Sequence, residues 1–386
     1  MHSSITNKNI NSMKKILLSF ALAVGLLTSA STLQAQTVNM SRYITLTVEK
    51  DSAIRLNFMA AAAATPVRIV SGSNTEDITV NTGWKGTVSY TAGSTTMTVY
   101  GDIIGFDCSV NGANLTALDV SKNTQLERLS CSFNSLTSLD VSKNTQLTVL
   151  FCSSNSLTSL DVSKNTQLTY LDCSSSPLSS LDVSKNTQLT NLWCGYNNLT
   201  SLDVSKNTQL TYLDCSSSPL SSLDVSKNTQ LTRLHCYNNN LTSLDVSKNT
   251  QLTELYCWGN KFTTAALDAI YCALPAKISS DGARIFPLNG SSSAAEQNMV
   301  ASTNAANATT KNWKVLKFKE DGNHTDIATT GRYVCSGGGG KPNMSRYITL
   351  TVAKDSAIRL DFRAAATNTP VRIVSGSNTQ NITVGT

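Results

Sequence analysis

The sequence predicts an α/β repeat solenoid dominated by β-structure, a right-handed coil with one parallel sheet, and two observations support this prediction. The nine-residue string Leu-Asp-Val-Ser-Lys-Asn-Thr-Gln-Leu occurs seven times at a period of 21 residues. A second pattern, L-x-x-L-x-C-x-x-N-x-L, lies between the copies, first at residues 126–136. One such segment cannot bury its apolar face alone, so neighbouring copies must stack and share a core.

Each predicted coil contains one short strand, because apolar and polar residues alternate there. Leu129 and Cys131 alternate with Arg128, Ser130 and Ser132, so leucine and cysteine should point inward. An asparagine follows at the turn, where its amide can replace lost backbone hydrogen bonds. This asparagine occurs at Asn134, Asn155, Asn197, Asn239 and Asn260.

Two coils depart from the asparagine pattern. Ser176 and Ser218 stand at the turn position, followed by Pro177 and Pro219. We expect a shorter hydroxyl hydrogen bond and a proline-restricted φ at these turns. We also predict that these two coils are locally less stable than the others.

The cysteines follow the same period. Seven of them recur every 21 residues from Cys131 to Cys257, and Cys108 precedes them by 23. Cysteines in an exported protein suggest disulfides, whereas a regular inward ladder favours small buried thiols with equivalent neighbours about 4.8 Å apart. The sequence favours free buried thiols, with disulfides as the alternative.

These motifs resemble bacterial extracellular leucine-rich repeats, particularly the 21-residue cysteine-ladder type of internalin-like surface proteins and of exported proteins of Bacteroidota. The resemblance covers residues 105 to about 261. It implies a solenoid that binds other molecules through its sheet face, and it specifies no ligand.

The remaining segments predict the following order along the chain. A signal peptide occupies residues 1–35, a small N-terminal β module 36–104, about eight coils 105–261, a C-terminal αβ cap 262–335, a glycine-rich linker 336–342, and a truncated second copy of the β module 343–386. The second copy repeats residues 39–82 with an offset of 304 and eight differences. We therefore expect the sequence to be part of a longer tandem protein.

Within the flanks, period-2 patterns and turn residues indicate individual elements. The predicted strands of the β module are 43–48, 54–58, 67–70, 88–90 and 97–100. In the cap, the sequence predicts helices over 265–274 and 294–308 and strands over 284–287 and 313–316. Such a cap would cover the core of the last coil.

The first 35 residues predict export. Lys14 and Lys15 precede an apolar run over 16–27 that is too short to span a bilayer, and Ala35 suits a signal-peptidase site. A membrane anchor is the alternative. We expect a secreted or cell-surface protein whose mature chain has no transmembrane helix.

Composition excludes several classes of function. Charged residues make up 15% of the chain, and the formal net charge of +6 falls to +3 without Lys8, Lys14 and Lys15. Because no basic stripe is present, nucleic acid is not an expected partner. The three histidines suggest no catalytic constellation, and the sequence contains none of the common cofactor-binding or metal-binding motifs. We expect no enzyme activity and no cofactor.

Aromatic residues are absent from the invariant repeat positions and concentrate at outward strand positions and the turns after them. Rings mixed with charged groups anchor partners well, although cross-strand stacking that only stiffens the sheet is the alternative. The candidate ligand-binding residues are Arg128, Phe133, Phe151, Tyr170, Asp172, Trp193, Tyr196, Tyr212, Asp214, Arg233, His235, Tyr237, Glu254, Tyr256 and Trp258.

The sequence thus favours an exported, non-catalytic binding protein that recognises a protein or an oligosaccharide through its aromatic strand face, as in adhesion. The alternative is a structural spacer on the cell surface, with the activity in a C-terminal part beyond this sequence.

Overall fold

The computed structural model describes residues 37–320, residues 322, 324–327 and 329, and the two strands Thr369–Ser375 and Asn378–Val384. The predicted signal peptide, the glycine-rich linker and most of the second β module lie outside the described residues. The chain divides into two compact units, with the boundary between Pro342 and Asn343.

The N-terminal β module contributes six strands. They are β1 (Tyr43–Val48), β2 (Ala53–Ala60), β3 (Thr65–Ser71), β4 (Asn74–Val80), β5 (Val88–Thr91) and β6 (Thr96–Gly101). The sequence prediction missed β4, because its side chains are nearly all exposed and show no apolar alternation. Strand β4 lies at the edge of its sheet, where one side of the backbone and both faces can be solvated.

The β module and the first coil share both of their sheets. Strand β7 (Ile103–Asp107) is antiparallel to β2 and parallel to β9, so the repeat sheet continues into the module. Strand β8 (Leu115–Asp119) pairs with β1 in the five-stranded sheet, whose order is β4-β3-β6-β1-β8. The module therefore covers the edge that the first coil would otherwise expose.

The seven following strands have three residues each and pair in parallel, one per coil. They are β9 (Arg128–Ser130), β10 (Val149–Phe151), β11 (Tyr170–Asp172), β12 (Asn191–Trp193), β13 (Tyr212–Asp214), β14 (Arg233–His235) and β15 (Glu254–Tyr256). Their central leucines are in register and buried. The predicted fold class, a β-dominated leucine-rich-repeat coil with a parallel sheet, is confirmed.

The parallel sheet extends beyond the coils into the C-terminal cap. Strands β16 (Arg284–Asn289) and β17 (Lys314–Phe318) add in parallel to β15, and β18 (Thr325–Asp326) closes the sheet antiparallel to β17. The helices are α1 (Thr264–Ala273), α2 (Ala294–Ala301) and α3 (Ala306–Thr309), with a 3₁₀ turn at Ser279–Asp281.

The prediction of a single helix over 294–308 is wrong, because the structure has two helices in this segment. It is interrupted after Ala301, where the Thr303 hydroxyl donates to the Val300 carbonyl and the Asn304 side chain accepts from the Ala306 N–H. Short polar side chains bond to nearby backbone in this way and compete with continued helix. The break explains why α2 and α3 are separate.

The turn asparagines act as predicted. The Asn134 amide nitrogen donates to the carbonyl of Cys131 at 2.9 Å and to that of Cys108, in the preceding coil, at 3.0 Å. Its Oδ1 accepts the N–H of Asn111 at 3.0 Å. One side chain thus satisfies backbone groups of two coils and fixes their stacking.

A second asparagine ladder, which the sequence interpretation missed, runs through the invariant string. It comprises Asn123, Asn144, Asn165, Asn186, Asn207, Asn228 and Asn249, all fully buried. The Asn144 amide donates to the carbonyls of Val120 and Asn123 in the preceding coil at 3.0 and 2.8 Å. The invariance of this asparagine within the repeat was the available signal.

The prediction that the Ser176 and Ser218 hydroxyls form hydrogen bonds at these turns is wrong. Neither Oγ has a hydrogen-bond partner among the described residues, although both atoms are buried. Serine is too short to reach the carbonyls that asparagine reaches. Pro177 and Pro219 also lack the N–H that Asn198 donates to the Leu178 carbonyl in another coil. These coils therefore lose contacts that the others make.

The eight ladder cysteines, from Cys108 to Cys257, are buried free thiols, as the ladder pattern favoured. Burial raises their pKa, to about 12 for Cys131 and Cys257. They pack as small apolar side chains and remain protonated at neutral pH. Cys272, in helix α1, is disulfide-bonded.

Candidate functional site

The outward residues of strands β9–β15 and the turns that follow them form the strand face. Eleven of the fifteen predicted site residues lie at the first or third position of a three-residue strand, and four lie in the turns. The strand residues are Arg128, Phe151, Tyr170, Asp172, Trp193, Tyr212, Asp214, Arg233, His235, Glu254 and Tyr256, and the turn residues are Phe133, Tyr196, Tyr237 and Trp258.

The rings of the strand face contact one another in a continuous aromatic row. Tyr170 stacks on Trp193 at a centroid distance of 6.4 Å, and Trp193 contacts Tyr212 at 5.0 Å. The row continues through His235, Tyr256 and Phe286 at 5.1, 4.2 and 4.5 Å. Cross-strand stacking, the alternative interpretation of the aromatic pattern, is thus present on the same surface.

Trp258 does not lie on the open face, which corrects its assignment as a ligand-binding residue. Its ring is 5% exposed, stacked between Tyr237 at 4.3 Å and Phe318 at 4.9 Å. It belongs to a small core with Phe286 and Leu316. The sequence predicted cap strands over 284–287 and 313–316, but not that they continue the parallel sheet and bring Phe286 and Phe318 against this ring.

Glu254 is buried and fully paired, which also corrects its assignment. Its Oε1 accepts from Arg284 at 2.8 Å and from the Tyr256 hydroxyl at 2.6 Å, and its Oε2 lies 3.2 Å from Arg233 Nε. Burial and this hydrogen bond raise the pKa of Tyr256. Glu254 therefore joins the last coil to the cap and presents no free carboxylate.

Asp172 and Asp214 are partly exposed, and serines hold them in place. Asp172 Oδ1 accepts the Ser174 N–H at 3.0 Å and the Ser174 hydroxyl at 2.6 Å. Ser216 makes the same bonds to Asp214 at the same distances. One oxygen of each carboxylate is thus fixed by its own turn, and the carboxylate orientation is preset before any ligand arrives.

His235 lies beside the second of these carboxylates. Its Nδ1 is 3.5 Å from Asp214 Oδ2 and 3.1 Å from the Tyr212 hydroxyl. Burial raises the pKa of Tyr212 to about 12, so this phenol is neutral at physiological pH. The cluster contains hydrogen-bond donors and acceptors suited to polar recognition.

Phe133 and Tyr196 occupy a strained and exposed turn position. Their φ angles are 58° and 56°, and their side chains are 58% and 55% exposed. The equivalent residues of other coils are mostly small or polar, namely Ser154, Ser175, Ser217, Asn238 and Gly259. A left-handed backbone costs about 1–2 kcal/mol for a large side chain. Backbone preference explains neither ring, although Tyr196 contacts Tyr237, with ring centroids 6.4 Å and hydroxyl oxygens 3.2 Å apart.

Two further exposed apolar residues were missed by sequence reasoning. Val110 has a φ of 62° and is 55% exposed at the same turn position in the first coil. Trp84, from the loop before β5, is 43% exposed, and a Cβ at Gly105 would lie 3.1 Å from its ring. Gly105 aligns with Arg128, so Trp84 borders the N-terminal end of the strand face.

Nothing among the described residues groups three or more potential metal ligands of the His, Cys, Asp and Glu types. Within the same part of the chain, no helix has the length and apolarity needed to cross a membrane.

Comparison with known families supports the repeat geometry. The profile of leucine-rich repeats, in two copies, matches residues 229–269. The matched residues include the last two three-residue strands, with their inward leucines and cysteines. The chain contains leucine-rich repeats. A comparison with curated proteins finds no match.

Solved structures that are similar to this chain include those of bacterial internalins. The functional domain of InlJ from Listeria monocytogenes, which includes a cysteine ladder, is 36% identical over 45% of this chain and 47% of that one, with a TM-score of 0.36. Internalin F of Listeria monocytogenes is 18% identical over 55% and 66%, with a TM-score of 0.42. Internalin C2 of the same species is 20% identical over 42% and 74%, with a TM-score of 0.40.

The chain spans less than half the length of the InlJ domain that it matches. The resemblance to cysteine-ladder internalins that the sequence predicted is confirmed.

Proposed function

We propose that this protein is an exported, non-catalytic binding protein that recognises a protein or glycan through the strand face. The main support for this proposal comes from Phe133 and Tyr196, which are large, exposed and held at positive φ. Strained residues that do not contribute to the core concentrate at functional sites. A ligand that covers these rings would bury apolar surface that is exposed in the free protein.

The rest of the strand face supports the same proposal. Asp172 and Asp214 are oriented by their serines, so they can accept hydrogen bonds without first losing side-chain freedom. The ladder thiols are buried, with raised pKa values, which makes them poor nucleophiles. Export is supported by the apolar segment at 16–27 and by the similarity to internalins.

A spacer is the second candidate, and the aromatic row favours it. Six side chains from Tyr170 to Phe286 contact one another in sequence along the sheet. Such contacts stabilise neighbouring strands by about 0.2–1 kcal/mol per pair without any ligand.

Substitution of the two strained rings separates the candidates. Phe133→Asn and Tyr196→Asn introduce the residue that occupies this turn at Asn238, and Ser154→Asn is the matched control at an equivalent position. Binding is measured on arrays of purified cell-surface proteins and of oligosaccharides, with the melting temperature recorded in parallel. We expect at least tenfold weaker binding for the ring variants, comparable to a loss of about 1.4 kcal/mol, and unchanged binding for the control. Unchanged binding by correctly folded ring variants would favour the spacer.

A further inference from the structure

Two coils of the solenoid are identical in sequence and lie two strands apart. Residues 157–190 repeat as residues 199–232. Their strands, β11 and β13, both read Tyr-Leu-Asp, and β12 pairs in parallel with each of them. The strand face therefore presents the same tyrosine and the same aspartate twice, separated by a different coil.

Each of the two aspartates has one carboxylate oxygen that is not bonded to its neighbouring serine. Ser174 donates to Oδ1 of Asp172 and Ser216 donates to Oδ1 of Asp214, so Oδ2 of each carboxylate makes no bond to these serines. No ion pair with lysine or arginine forms at either carboxylate within the described residues. The surroundings differ in one respect, because Oδ2 of Asp214 lies 3.5 Å from His235 Nδ1. The face thus offers two similarly oriented negative groups without a permanent basic partner.

The coil between them supplies apolar surface and a hydrogen-bond donor. Trp193 lies between Asp172 and Asp214 in the strand register, and its ring contacts both Tyr170 and Tyr212. Asn191 Oδ1 accepts the Thr190 hydroxyl at 2.9 Å, so its amide nitrogen faces no competition from that bond.

The spacing of the duplicated groups matches one kind of polymer. Adjacent strands are about 4.8 Å apart, so equivalent groups recur at about 9.6 Å. A polyproline II chain advances about 3.1 Å per residue and repeats every three residues, about 9.3 Å. An extended β-chain repeats after two residues, about 6.6 Å, and would fall out of phase. We propose that Tyr170–Asp214 of the strand face binds a single proline-rich chain in the polyproline II conformation, with a basic residue at every third position.

The chemistry of the face suits this partner, and the inference rests on the proposed function. Proline rings pack well into surfaces lined by aromatic side chains. A polyproline II chain has no internal hydrogen bonds, so its carbonyls can accept from donors such as the Tyr212 hydroxyl and the Asn191 amide. Basic side chains three residues apart point in the same direction and would reach Asp172 and Asp214 together.

The test uses the whole chain and three probes. The first is a fluorescein-labelled nonapeptide of three Pro-Pro-Arg triplets. The second has the same composition with its arginines four residues apart, and the third is a linear β-1,4-linked glucose hexasaccharide. Fluorescence anisotropy measures peptide binding, and calorimetry measures hexasaccharide binding. The variants are Asp172→Asn, Asp214→Asn and the double variant. Asp182→Asn is the matched control, since Asp182 also accepts a serine N–H, at 2.8 Å, but lies outside the strand face.

We expect the triplet peptide to bind and each single variant to weaken it about fivefold. The double variant should weaken binding about 25-fold, because independent losses multiply, and the control should bind normally. The four-residue spacing should bind about fivefold more weakly, since only one arginine at a time meets a carboxylate. Asparagine can keep the bonds to the serines, so the melting temperature should not change.

Three results would overturn the inference. These are no binding of the triplet peptide, equal binding of both peptides, and peptide binding that is insensitive to both aspartate variants. If the hexasaccharide binds instead and Tyr196→Asn weakens it, the strand face is still a binding site but its ligand is a glycan. If no array ligand responds to the ring variants, the proposed function itself fails.

Discussion

Phe133 and Tyr196 show how single residues of this protein depart from what folding alone requires. The turn after each strand needs a positive φ, which serine, asparagine and glycine provide in most coils. Compared with asparagine or glycine, an aromatic residue there adds backbone strain, and compared with any of the small residues it exposes apolar surface. The proposed binding role explains both costs.

Phe133→Asn should therefore change the free energy of unfolding by less than about 1 kcal/mol, because relief of backbone strain offsets the loss of the ring's partial burial. By contrast, Leu129→Ala removes a side chain that is 1% exposed and should cost about 2–5 kcal/mol. Urea unfolding measures both values. A cost for Phe133→Asn as large as that of Leu129→Ala would contradict the account of this turn.

The side chains of the asparagine ladders hold neighbouring coils together. Each turn asparagine satisfies backbone groups of two coils at once, so its effect appears in the stability of a whole turn of the solenoid. The coils with Ser176 and Ser218 lack these bonds, and their prolines remove one donor each. They are the expected weak points of an otherwise uniform stack.

Restoring one of these turns should stabilise its coil. Ser176→Asn with Pro177→Asn copies the Asn197 and Asn198 pair and adds two to three buried hydrogen bonds. At about 0.5–1.5 kcal/mol per bond, the gain is about 1–4 kcal/mol. Native-state hydrogen exchange should show slower exchange at Leu157, whose equivalent, Leu178, donates to Asn197 Oδ1. Unchanged or faster exchange at Leu157 would show that this turn is already satisfied in another way.

Helix α1 carries a buried carboxyl group that makes the cap sensitive to pH. Burial raises the pKa of Asp268 to about 6, and the Asn304 N–H, whose hydrogen bond to Oδ1 is 2.8 Å, lowers it. A folded-state pKa above the unfolded value of about 3.9 disfavours the ionised form in the folded protein. This group therefore stabilises the fold most at low pH, and that contribution is lost as the pH rises from about 4 to about 6.

Asp268→Asn should remove this dependence. At about 1.4 kcal/mol per pKa unit, the variant should be up to about 3 kcal/mol more stable than the parent at pH 7, with little difference at pH 4. The measurement is thermal unfolding of both proteins across this pH range. A variant that is less stable at pH 7 would mean that the carboxylate is ionised and specifically needed in the cap.

At a larger scale, the β module and the coils share two sheets and one hydrophobic core, so we expect them to unfold together. Strands β1 and β2 pair with β8 and β7, so the module completes both sheets of the first coil. Phe58 and Phe106, on β2 and β7, contact each other at a centroid distance of 5.8 Å in the shared core.

Phe58→Ala should therefore destabilise the coils as well as the module. The expected cost is about 3–5 kcal/mol, and hydrogen exchange at Leu129, in the following coil, should accelerate together with that at Leu46 in the module. Acceleration confined to residues before the first coil would show that the module unfolds independently.

The sequence predicted the repeated parts of this architecture better than its ends. A 21-residue period determines the strand, the inward leucine and the cysteine in each coil from β9 to β15. Trp258 was misassigned because its environment comes from strands β16 and β17, which carry no repeat. Strand β4 was missed because an exposed edge strand needs no apolar pattern. Trp84 was missed because the position of its ring depends on a loop that packs against another strand.

Hydroxyl-radical footprinting with mass spectrometry tests most directly the central claim, that stacked coils bury leucine and thiol and leave one face of rings open. We expect rapid oxidation of Phe133, Tyr170 and Tyr196, and slow oxidation of Trp258 and the ladder cysteines in the folded chain. Rapid oxidation of the ladder cysteines, or protection of Phe133 and Tyr196 equal to that of Trp258, would contradict it.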